Sequence, residues 1–92
     1  MRTVRIVITG SVQGVGFRMW LAEEAETVDV NGWVANRRDG SVEAVLSGDE
    51  DAVELLVMIC RSGPRGAKVG GVSVTPEPAA SVGTGFVIRP DF

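Results

Sequence analysis

The chain has 92 residues, 45% of them apolar and 23% charged, the balance of one small globular domain spanning 1–92 and too short for a large cofactor-binding fold. Its net charge is −3, so the overall field repels polyanions, and nucleic acid or an anionic membrane is a poor default partner. With no histidine and a single cysteine, it lacks an internal disulfide, the usual zinc, copper or haem ligands, and the commonest general base near neutral pH.

Residues 2–9 alternate Val4, Ile6 and Ile8 against Arg5, Val7 and Thr9, the period-2 pattern of a strand with one face in the core. Three glycines fall within residues 10–16 (Gly10-Ser11-Val12-Gln13-Gly14-Val15-Gly16), too many for the interior of an element, so this segment is a loop. From Phe17 the apolar positions Phe17, Leu21, Ala25 and Val28 recur at spacings of four, four and three, which predicts an amphipathic helix ending near Thr27. Residues 32–36 and 41–46 are β-prone, and Asp39-Gly40 between them is a hairpin dipeptide, since glycine accepts the positive φ of such turns.

Ser47 followed by Glu50 fits a capping box, and Asp49, Glu50 and Asp51 place negative charge at the positive end of a second helix. Val53, Leu56, Val57 and Cys60 form its apolar stripe, with Cys60 in the core, and Gly63-Pro64 stops it. Residues 67–75 read as a fourth strand closed by Pro76-Glu77-Pro78, and residues 86–89 as a short last strand. The order βαββαβ, with that extra terminal strand, predicts a ferredoxin-like α+β sandwich: an antiparallel sheet with two helices on one face. No run approaches the roughly 18 apolar residues of a membrane span, and the N-terminus leads into a strand rather than the apolar core of a signal peptide, so the chain reads as cytoplasmic.

A glycine-rich turn between a strand and a helix aims backbone N–H groups at one point, and the helix N-terminus adds fractional positive charge, a geometry suited to phosphate. It is neither a Walker A loop, having no Lys-Ser or Lys-Thr after it, nor G-x-G-x-x-G, because Met19 stands at the third glycine. Arg18 lies in the first helical turn, where a cation opposes the dipole at a cost of up to about 1 kcal/mol when exposed. Its planar fork can grip two phosphate oxygens. The plainer alternative is a solvated arginine or one paired with Glu23 or Glu24. Ser11 and Ser41 have no histidine to activate them and read as a loop residue and a strand start. Trp20 and Trp33 read as packing residues, and Arg37 and Arg38 as solvated hairpin charges. Composition allows a carboxylate-only magnesium site, yet no Asp or Glu pair lies beside the glycine-rich segment.

The segment Ile8-Thr9-Gly10-Ser11-Val12-Gln13-Gly14-Val15-Gly16-Phe17-Arg18 resembles the first signature of the acylphosphatase family, V-Q-G-V-x-F-R. Gly32-Trp33-Val34-Ala35-Asn36, followed by Gly40, Val42 and Gly48, resembles the second, G-W-V-x-N-x-x-x-G-x-V with a later glycine. The resemblance implies a monomeric, metal-independent and cofactor-free hydrolase of the carboxyl–phosphate bond of small-molecule acyl phosphates. It implies that Arg18 and the backbone amides of Gln13, Gly14, Val15, Gly16 and Phe17 hold the phosphate, and that Asn36 positions the attacking water. One departure lies outside the motifs: Asp29 stands where members often have glycine after the first helix. Two readings of other classes compete, a non-catalytic anion-binding or regulatory module of the same fold, and an RNA-binding sheet. The second is opposed by the acidic charge and by the absence of aromatic residues from the first and third strands.

Overall fold

The computed structural model describes residues 1–90, so the last two positions of the expected 1–92 domain lie outside the described residues. The elements run β1 (Arg2–Ser11), α1 (Phe17–Thr27), β2 (Asn31–Asn36), β3 (Val42–Gly48), α2 (Glu50–Cys60), β4 (Lys68–Pro76), a 3-10 turn (Ala79–Ser81) and β5 (Phe86–Ile88). They build one five-stranded sheet in the order β4-β1-β3-β2-β5. β1 pairs antiparallel with both β3 and β4, β2 pairs antiparallel with β3, and β5 adds a parallel pair against β2. The four strands expected to be antiparallel are so, and the terminal strand makes the whole sheet mixed.

The expected alternation sets the two faces. Val4, Ile6 and Ile8 of β1, Val34 of β2, and Val42, Ala44 and Leu46 of β3 meet Phe17, Leu21 and Ala25 of α1 and Val53, Leu56, Val57 and Cys60 of α2 in one buried cluster. Each fully buried Leu, Ile, Val or Phe there contributes about 1.5–3 kcal/mol relative to exposure. Gly32 must be a glycine because β2 runs close to β3: a Cβ there would stand 1.8 Å from the Val45 carbonyl oxygen.

The capping box anticipated at Ser47 is not formed. β3 keeps its pairing with β1 as far as Arg2↔Gly48, which holds Ser47 extended, and its hydroxyl meets Thr3 Oγ1 at 2.7 Å. Asp49, the first residue released from the ladder, is the N-cap instead, its carboxylate accepting from the Asp51 amide at 3.2 Å. β1 also runs past Thr9, through a register shift at Thr9/Gly10, to pair Ser11 with Lys68.

The helix-free face carries the connection from β4 to β5. These strands occupy opposite edges of the sheet, so residues 77–85 must cross it. Val82 packs on Trp33, Ala35 and Val45. Trp33, only 8% exposed, lies under the Arg89 guanidinium at 4.4 Å and that of Arg5 at 5.8 Å from its ring centroid. Arg5 donates from Nε and Nη2 to the Glu77 carboxylate at 3.2 and 3.1 Å, and from Nη1 to Glu43. Trp33 and Trp20 both pack against the sheet, Trp20 meeting the Phe17 ring edge-on at 5.3 Å. Asp29 has φ 56°, the left-handed geometry that its place after α1 requires and that glycine adopts at lower cost.

Candidate active site

The turn between β1 and α1 is shaped by its glycines. Gly14 and Gly16 have φ of 77° and 75°, and Val15 between them is not in the left-handed region. Such alternation turns successive amides toward one concave side. A Cβ on either glycine would meet open space, so it is the dihedral angle, not crowding, that demands glycine.

Gly16 is also the N-cap of α1 and has no side chain with which to cap it. The first turn, where amides lack intrahelical acceptors, contains no acidic residue. The α2 N-terminus is treated in the opposite way, with Asp49 as cap and Glu50 and Asp51 in its first turn. The same chain thus neutralises one helix dipole with carboxylates and leaves the other positive, with Arg18 added on top.

A cavity of about 300 Å³ opens at this turn, at the lower end of the range for small-molecule sites. Gly14, Gly16 and Arg18 line it from the loop and α1, and Asn36 lines it from the end of β2. Asn36 lies at the last paired position of that strand, opposite Val42, and two residues beyond the core residue Val34, on the helix side of the sheet. Arg18 Nη1 donates to the Arg89 carbonyl at 3.5 Å, just beyond β5. The half-buried Arg18 and the neutral amide of Asn36 are the polar side chains of the lining.

The walls are apolar. Val12 and Phe17 are buried, whereas Met19 and Ile88 are exposed at the mouth. Val12, Met19 and Ile88 were not among the sequence candidates. Met19 could have been suspected from its place beside Arg18, but Ile88 reaches the site only because β5 pairs with β2. Of the remaining candidates, Gln13 and Val15 do not present their side chains to the cavity. Val15 packs at the fringe of the core, and Gln13 Nε2 donates to the carbonyls of Arg37 at 2.7 Å and Ser41 at 2.9 Å. The Phe17 ring is wall rather than ligand, so any contact with an anion from Gln13, Val15 or Phe17 falls to backbone amides.

The hairpin beyond Asn36 is closed by Arg37 N donating to Ser41 O at 2.9 Å. The Ser41 hydroxyl, at 2.6 Å, and then its amide, at 2.9 Å, hold the Asp39 carboxyl below its ordinary pKa. Arg37 approaches Asp39 at 3.9 Å, and Arg38 is exposed.

Fold and site together define a small ferredoxin-like α+β domain in which a glycine-rich strand-to-helix turn, an arginine and a neutral side-chain amide share one cavity. The acylphosphatase family model matches residues 4–88. An acylphosphatase of Azorhizobium caulinodans is 48% identical over 84 residues, covering 91% of this chain and 90% of that protein. One of Rhodospirillum rubrum is 46% identical over 90 residues, covering 98% of each. The crystal structure of acylphosphatase from Bacillus subtilis superposes with a TM-score of 0.91 at 38% identity, covering 97% of this chain and 99% of that one. The chain belongs to the acylphosphatase family, enzymes that hydrolyse acyl phosphates.

Proposed function

We propose that this enzyme cleaves the carboxyl–phosphate bond of an acyl phosphate by positioning and charge stabilisation alone, without a metal, a cofactor or a covalent intermediate. The observation that carries the reading is the one cavity shared by the Gly14–Gly16 turn, Arg18 and Asn36. The loop amides from Gln13 to Phe17 and the Arg18 guanidinium hold the phosphoryl oxygens. Asn36 accepts a hydrogen bond from water and fixes a lone pair toward phosphorus, on the side opposite the acyl oxygen.

As the water oxygen bonds to phosphorus, the bond from phosphorus to the acyl oxygen breaks and the carboxylate leaves with its electron pair. Both water protons end on the phosphate oxygens, so the dianionic acyl phosphate and water give carboxylate and dihydrogen phosphate. An acyl phosphate has a good leaving group, and phosphoryl transfer through a loose transition state asks mainly for charge neutralisation at the equatorial oxygens. That requirement suits a chain with no histidine. The neutrality of Asn36 avoids repelling the dianion, which an aspartate would do.

The enzyme is further read as a monomeric single domain of the cytoplasm, acting on a small molecule and not on nucleic acid. Its net charge of −3 speaks against a polyanionic partner such as nucleic acid. No helix among the described residues is long and apolar enough to cross a membrane.

Phosphate release from acetyl or benzoyl phosphate, in chelator-treated buffer, tests the mechanism. Arg18→Ala is expected to lose both phosphate affinity and rate, and Asn36→Ala to lose rate with phosphate affinity largely kept. Loss of one preorganised group costs about 100- to 1,000-fold in kcat by analogy with oxyanion-hole donors. Unchanged turnover in either variant removes the role assigned to that residue. Tight phosphate binding with no turnover in the wild type would instead favour a non-catalytic anion-binding module.

A further inference from the structure

We propose that the Gln13 side chain is a positioning residue that holds Asn36 in register with the phosphate loop. The inference rests on the reading of Asn36 as the residue that orients water. It starts from a gap in the sheet. The loop grows from the end of β1 and Asn36 ends β2, and these strands are not neighbours, because β3 lies between them. The β1–β3 ladder reaches only Ile8↔Val42, and the β2–β3 ladder stops at Asn36↔Val42. Beyond that line no strand pairing among the described residues joins the two halves of the site.

Gln13 spans it. Its Nε2 donates to Arg37 O at 2.7 Å and to Ser41 O at 2.9 Å, one carbonyl on each arm of the hairpin, the first belonging to the residue directly after Asn36. Two acceptor oxygens at these distances call for two protons on one atom, which a primary amide supplies and a carboxylate or hydroxyl does not. The loop end is secured independently, by the β1–β4 pairing out to Ser11↔Lys68 and by Val12, 1% exposed in the core. The hairpin end is the one that needs the clamp. Both carbonyls keep another donor without it, since Gly40 N donates to Arg37 O and Arg37 N to Ser41 O. Loss of Gln13 therefore frees the hairpin without stripping it of hydrogen bonds.

The test compares Gln13→Leu, Asn36→Ala and the double variant in kcat for benzoyl phosphate and in the competitive inhibition constant of inorganic phosphate. Gln13→Leu is expected to lower kcat about 10- to 100-fold, the scale of a sub-ångström to 1 Å misplacement. Its phosphate inhibition constant should move less than about three-fold, because Arg18 and the loop stay in place. In the Asn36→Ala background the same substitution should cost almost nothing further, since a residue acting through Asn36 has nothing left to position.

Multiplicative losses in the double variant, or a phosphate constant that rises in step with the fall in kcat, would overturn the proposal. If Gln13→Leu does not fold, Gln13→Glu serves. Its carboxylate opposes two carbonyls and its protonated acid regains one donor, so its kcat relative to wild type should rise on acidification. A constant ratio across pH overturns the clamp. Full kcat in Asn36→Ala would remove the water-positioning role, and the proposal with it, whereas a wild-type chain without turnover would refute the catalytic reading itself.

Discussion

Replacing Arg5 by methionine removes the cation that ties three segments together, Glu43 of β3, Glu77 at the start of the crossover, and Trp33 of β2. The size of the loss follows from unequal burial. The Glu43 side chain is only 7% exposed and that of Glu77 16%, but that of Arg5 is 36% exposed. Breaking a fully buried pair by deleting one partner costs about 3–5 kcal/mol, and an exposed pair is worth about 0–1 kcal/mol. The site lies between these limits and nearer the buried one on the Glu43 side, so the expected loss is about 2–3 kcal/mol after allowance for solvent at the guanidinium.

For a chain of this size that is a fall in Tm of about 10–20 °C, or about 1–2 M in the urea midpoint. Tryptophan fluorescence is a suitable readout because Trp33 lies beneath Arg5. The cause is isolated by pairing Arg5→Met with Glu43→Leu, which removes the stranded carboxylate and should restore most of the loss. A loss below about 1 kcal/mol, or two substitutions whose costs simply add, would refute the argument that burial of Glu43 sets the magnitude. The consequence reaches the active site. Glu77 opens the segment leading to β5, and β5 delivers Ile88 to the cavity and the Arg89 carbonyl to Arg18.

Asp29→Gly should stabilise the fold by up to about 1 kcal/mol, because φ 56° is less costly for glycine; a lower urea midpoint would contradict this. Cys60 is fully buried and its thiol is pushed up to about 12 by that burial, so a thiol reagent should label the native protein negligibly and the unfolded chain once. Asp39, held below its ordinary value of 3.8 chiefly by the Ser41 hydroxyl and then the Ser41 amide, favours the folded state as a carboxylate. That contribution is complete above 3.8 and disappears as the pH falls through the lower folded value. Asp39→Asn should therefore flatten the acid side of the stability profile, measured as urea midpoints between about pH 2 and 5; an unchanged acid slope would count against it.

Much of this protein is legible in the residues alone, for local reasons. Alternation in β1, four-residue spacing in α1 and the acidic start of α2 follow from backbone periodicity and the helix dipole, so their faces can be read without a fold. The glycine-rich turn, Arg18 and Asn36 stand out because the motifs are contiguous in sequence. Even so, the residue types alone point to Ser47 and not Asp49 as the cap of α2, since nothing near residue 47 reveals that β1 pairs with β3 as far as Gly48.

Tertiary structure decided what depends on partners far apart in the chain. A three-residue strand such as β5 has too little pattern to name its neighbour. Its place against β2 comes from the crossover held by Arg5–Glu77 and Trp33–Val82, contacts between residues about 50 to 70 positions apart. From that placement follow the parallel pair, the covered sheet face and Ile88 at the cavity mouth. The span of Gln13 from the loop to the hairpin has the same origin: its amide finds two carbonyls only after β3 has brought β1 and β2 to either side of itself.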